Sequence, residues 1–98
     1  MNGYDFDRPF IEEGKFEKFK AIDRKTSKRF GKFVKATELS NIEYKIRYGK
    51  LKEERNMKPP PSTGRIFPGV LVVRKLGLPG QYETWMPDHV FFEFYEKA

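Results

Sequence analysis

Apolar residues along this chain change their spacing several times, and each change marks an element. Val70-Leu71-Val72-Val73 is an unbroken apolar, largely β-branched run, the kind a strand buried on both faces requires. It is the expected core strand. Leu76-Gly77-Leu78-Pro79-Gly80 is a turn by composition. Gln81 to Trp85 then resumes alternation, with Tyr82 and Thr84 on one face and Trp85 on the other, so the two runs predict a β-hairpin.

Upstream, Phe30, Phe33 and Val34 among lysines predict a half-buried strand over Arg29 to Glu38, its long cationic side chains covering the solvent face. Lys15 to Ile22 fits two periods. Phe16, Phe19 and Ile22 stand at helical spacing, while Phe19 and Ala21 fall on one face of a strand. Ser40-Asn41-Ile42-Glu43 has the form of a capping box, in which Ser40 satisfies a free amide and Glu43 reaches back. The helix it starts runs through about Tyr48, with Ile42/Ile46 and Tyr44/Tyr48 four apart and Gly49 permitting a C-terminal turn; the same residues also alternate as a strand does.

The polar stretch 50–66 holds Pro59, Pro60 and Pro61, which lack backbone donors, and predicts a long loop. At the other end Pro87 suits the first position of a helix. Asp88 favours its positive end, and Val90/Phe94 with Phe91/Tyr95 supply two i, i+4 apolar pairs. Met1 to Gly14 has no period and predicts an irregular acidic arm. The expectation is therefore one α+β domain over 15–98: a small antiparallel sheet of three or four strands, one internal helix and one C-terminal helix. Its core should hold Val34, Ile42, Ile46, Leu71, Val73, Trp85, Phe91 and Phe94.

Composition supports a folded chain. With 98 residues there is room for one core, and ten Phe, five Tyr and one Trp give the apolar fraction bulk. No cysteine is present, so disulfides and thiolate metal sites are excluded and a reducing, cytosolic compartment is expected. Met1 to Phe10 is not of signal-peptide type, and no run approaches the ~18 apolar residues of a membrane span. The net charge of +6 is uneven: residues 1–13 carry −3, 14–58 carry +9 and 59–98 carry none. Clustered charge steers association, so the middle third is where an anionic partner is expected.

Within it, Arg24, Lys25, Lys28, Arg29, Lys32 and Lys35 form a run without an acid. It is either a footprint for phosphates, with Phe30 and Phe33 as stacking faces, or a solvated turn and strand face whose phenylalanines point inward. Tyr82, Trp85, Phe91 and Tyr95 are candidates for an aromatic pocket, since planar ligands such as nucleotides suit such walls; core packing is the plainer reading. His89 is the only histidine and has no Ser, Cys or second carboxylate spaced to work with it. Glycines 64, 69, 77 and 80 do not have phosphate-loop spacing, and the acids are too scattered to hold a metal. No catalytic, cofactor or metal residues are expected.

The order of these elements resembles a family of small uncharacterised proteins found in tailed bacteriophages. The stretches that carry the resemblance are Gly31-Lys32-Phe33-Val34-Lys35-Ala36, Ser40-Asn41-Ile42-Glu43-Tyr44, Pro68-Gly69-Val70-Leu71-Val72, and Tyr82-Glu83-Thr84-Trp85-Met86-Pro87 followed by Val90-Phe91 and Tyr95. They span roughly residues 30 to 97. Met86 and Phe92 depart from the family, which often has Ser and Glu there. The resemblance implies a phage gene product acting in the bacterial cytoplasm, and no particular activity. The expected function is thus a non-enzymatic accessory protein that binds and modulates a host macromolecule, a host protein before others. The alternatives are nucleic-acid binding through residues 24 to 35 and sequestration of a small nucleotide-like ligand.

Overall fold

Alternation prevails over helical spacing in the first described segment. The computed structural model describes residues 15–98, so the acidic arm expected over 1–14 lies outside the described residues. Glu17–Ala21 is strand β1, burying Phe19 and leaving Lys18 and Lys20 exposed. The basic run that follows is a helix, α1 (Arg24–Phe30), where a turn and the start of a strand were expected. Asp23 is the reason. Its carboxylate accepts the Thr26 N–H at 2.7 Å and closes the first turn, a cap that outweighs the modest helix preference of the residues behind it. Gly31, at φ +99, ends the helix with its N–H on the Ser27 carbonyl, a conformation that L side chains rarely adopt.

Strand β2 (Phe33–Glu38) returns antiparallel to β1, with Phe19 opposite Val34. The capping box forms as its spacing requires: the Ser40 hydroxyl accepts the Glu43 N–H, and the Glu43 carboxylate accepts the Ser40 N–H. Helix α2 (Asn41–Leu51) carries on two residues past Gly49. The central strand β3 (Gly69–Arg74) and β4 (Tyr82–Pro87) make the hairpin expected from sequence. Helix α3 (Asp88–Phe94) starts one residue after Pro87, which closes β4, and stops before Tyr95; Tyr95–Lys97 becomes β5, pairing with β1. Among the described residues the sheet thus has five strands in the order β4-β3-β2-β1-β5, every neighbour antiparallel. This is an α+β fold with one strand more than the upper expectation.

Each face has its own core, because successive side chains of a strand point to opposite sides. On one face Phe19, Val34, Ala36, Val70, Val72 and Met86 pack beneath Phe91 of α3, with Tyr95 of β5 beside them. On the other, Leu39, Leu71 and Tyr44 of α2 form a smaller cluster, joined by Phe16, Tyr48, Met57 and Trp85. Ile42 and Ile46 are only half-buried, because α2 turns Asn41, Tyr44 and Arg47 to the sheet instead. Phe94 is exposed, since Phe91 and Tyr95 take the inward side of the chain where helix gives way to strand.

The long loop is mostly exposed, but its chain is tethered to the fold in two places. Asn56 and Lys58 bond both backbone groups of Glu83, adding a short parallel bridge to the outer edge of β4. The loop's return is held by the buried Asn41 amide, which donates to the Arg65 carbonyl and accepts the Phe67 N–H.

Candidate functional site

The strand alternation that buries Phe19, Val34 and Ala36 places Lys18, Lys20, Phe33 and Lys35 together on the opposite face. Register fixes their neighbours: Lys18 lies opposite Lys35 and Lys20 opposite Phe33. Helix α2 and the cluster around Leu71 cover this face over the Trp85 end of β3 and β4. At the other end, towards α1, Lys18, Lys20 and Lys32 are exposed and Phe33 is half-buried among them. The Lys18 ammonium stands 4.3 Å from the centre of the Phe33 ring and that of Lys32 5.5 Å, so both lie within cation–π reach of the ring.

Of the expected basic residues, Arg24, Lys25, Lys28 and Arg29 lie on α1, exposed, three residues beyond the end of β1 and three before the start of β2. They adjoin the end of the sheet where Lys20 and Phe33 stand. Of its two phenylalanines, Phe30 is engaged by the Arg74 guanidinium, 3.8 Å from its ring centre, and only Phe33 lies on the basic face. The carboxyl of Asp23 is held below its ordinary range, first by the Thr26 backbone bond and then by the Thr26 side chain. Lys18 and Lys20 went unnoticed in the sequence, although the Lys-Phe-Lys-Ala alternation signals them once β1 is read as a strand.

Lys35 is half-buried and leads into a polar hollow of about 230 Å³ whose walls include Arg47, Arg55, Val73 and Glu83. There the Glu83 carboxylate accepts from Nε and Nη2 of Arg47 at 2.9 and 3.1 Å, and from Nη1 of Arg55 at 3.1 Å. Arg47 is 2% exposed and Glu83 7%. Nothing in the sequence joins these residues, which are 36 positions apart.

The four aromatics expected to share a pocket are divided by the sheet. Trp85 packs with the α2 cluster and donates its indole N–H to the Leu39 carbonyl at 2.6 Å. Phe91 and Tyr95 stack on each other in the opposite core, ring centres 5.1 Å apart. Tyr82 pairs with Arg74, two residues along β4 from Thr84 and on the Tyr95 side. Trp85 instead lines an apolar hollow of about 330 Å³ with Pro61, Phe67, Pro68 and Pro87, at whose rim His89 sits 3.7 Å from the Asp88 carboxylate.

Among the described residues no group of three or more His, Cys, Asp or Glu is placed to hold a metal ion, and no helix is long and apolar enough to cross a membrane. Scanned against protein-family models the chain matches none, and no curated protein or solved structure matches it.

Proposed function

We propose that this chain is a non-enzymatic binding protein that takes a nucleic acid on the basic half of its sheet. One observation carries the reading: Lys18, Lys20 and Lys32 stand exposed around a half-buried Phe33, on a face whose acids are already engaged. Among the described strand residues those acids are Glu96, 3.8 Å from Lys20, and Glu83, held by Arg47 and Arg55. The helix that follows β1 adds Arg24, Lys25, Lys28 and Arg29 at the same end. A local excess of this kind suits a phosphate backbone, whose bound counterions are released as lysines replace them.

The test is a titration of labelled oligonucleotides at several salt concentrations. Affinity should fall steeply with salt, with a log–log slope of about −0.7 to −0.9 for each phosphate neutralised. The double reversal Lys18→Glu/Lys20→Glu should weaken binding by about tenfold or more and flatten that slope by nearly two contacts. Reversal of Lys28 and Arg29 reports whether α1 belongs to the footprint. Binding indifferent to salt, or to the double reversal, would sink the proposal.

A second reading, an accessory protein of phage origin that seizes a host protein in the bacterial cytoplasm, draws on a different place. The Trp85 hollow is apolar, and beside it Ile66 is 72% exposed and Phe67 44%, the kind of patch that marks a protein contact. Capture from bacterial lysate with and without nuclease separates the two. A discrete host protein that survives nuclease favours this one, and retention that vanishes favours nucleic acid.

A further inference from the structure

Resting on the basic-face reading above, we propose that the nucleic acid is single-stranded and that a base stacks on Phe33. The argument begins with shape. The Phe33 ring lies opposite Lys20 and diagonal to Lys18, and the exposed Lys18 ammonium sits over it 4.3 Å from its centre, so a group at the surface can reach a π-face of the ring. In a duplex the base faces are buried against one another and only their edges line the grooves, out of reach of such a surface. An unstacked base presents a face of matching size.

Charge then agrees with shape. Lys18 and Lys20 lie two positions apart on one strand, about 7 Å, and Lys32 approaches the same ring from the start of β2. Cations thus flank the stacking position along β1 and across to β2. In the unliganded protein Lys18 itself rests on the ring. A base that takes its place releases that ammonium towards a phosphate, and since Lys18 is exposed the exchange costs little. The ring therefore adds affinity without reading sequence, because every base has a π-face.

The experiment compares an oligothymidylate about 12 nucleotides long, within the ~4–16 that small sheet platforms accommodate, with a duplex of equal length at one salt concentration. Full-length wild type, Phe33→Ala and Phe33→Tyr are measured. The single strand should bind more tightly. Phe33→Ala should weaken it by about tenfold while changing duplex affinity little, and Phe33→Tyr should restore it. Circular dichroism of each variant, matched to wild type, excludes misfolding as the cause. Equal affinity for both forms, or an undiminished Phe33→Ala, overturns the stacking proposal and leaves the basic face standing as a nucleic-acid site. Failure of both forms to bind at low salt overturns the stacking proposal and the basic-face reading together.

Discussion

Glu83 holds three parts of the molecule with one residue. Its side chain binds Arg47 of α2 and Arg55 of the long loop, and its backbone bonds Asn56 and Lys58. The pair with Arg47 is buried, so truncating it strands a charge away from water. Glu83→Gln should cost about 3 kcal/mol of unfolding free energy, within the range for breaking a buried pair. Arg55 is half-exposed, and Arg55→Ala should cost less than about 1 kcal/mol; urea denaturation measures both. Tyr44 lies beside this group, its hydroxyl donating to the Lys58 carbonyl, and burial followed by the Glu83 charge pushes its ionisation well above the ordinary tyrosine range. Gly69 is fixed by a different constraint. A Cβ there would come within 2.0 Å of the Trp85 ring and 2.6 Å of the Met86 carbonyl. Gly69→Ala should therefore destabilise the hairpin by about 3 kcal/mol or more, again read by denaturation.

Among the elements, α1 depends most on a single interaction. It has seven residues with no acid in its first turn, too short to persist without tertiary support, and Asp23 supplies its start. The Asp23 carboxyl is held below its ordinary value of 3.8 by accepting the Thr26 N–H. A carboxylate whose folded pKa is depressed stabilises the fold above its unfolded pKa, and this support is lost as pH falls through the folded value. The cap should therefore be complete above about pH 4 and fail in stronger acid. Asp23→Asn, which caps without ionising, should remove that acid dependence from the Thr26 amide. Hydrogen exchange at Thr26 across pH 2–5 tests it, and identical profiles in both proteins would contradict this account of the cap. Another short element, β5, has three residues and among the described residues pairs only with β1, with Lys97 and Glu17 3.2 Å apart across the pair.

At the scale of the whole molecule the charge of +6 acts on stability and on binding with opposite signs. Cations concentrated on β1, α1 and β2 repel one another in the folded state, and salt screens exposed charges once the Debye length shortens to ~8 Å near 0.15 M. Raising salt from low millimolar to that range should lift the melting temperature by a few degrees; about 1 kcal/mol corresponds to ~4–8 °C in a domain of this size. The same change should weaken nucleic-acid affinity. Scanning calorimetry beside the binding titration checks the pair, and a melting temperature that falls with salt would mean that exposed ion pairs outweigh the repulsion.

How much of this was legible in the sequence depends on the range of the forces involved. Local chemistry settled the capping box at Ser40, the hairpin around Gly77 and Gly80, and the apolar run of β3, because their determinants lie within a few residues of each other. It determined the α+β class and the basic character of the middle third. What tertiary structure alone decided is which residues meet. Strand pairing set Lys18 and Lys20 beside Phe33 and Lys35, and strand alternation sent Trp85 to one side of the sheet and Phe91 and Tyr95 to the other. A buried ion pair let Arg47 take an inward place on α2 that periodicity had assigned to Ile42 and Ile46. The C-terminal residues became a strand because β1 offered an edge to pair with, and that edge exists only once the sheet has formed.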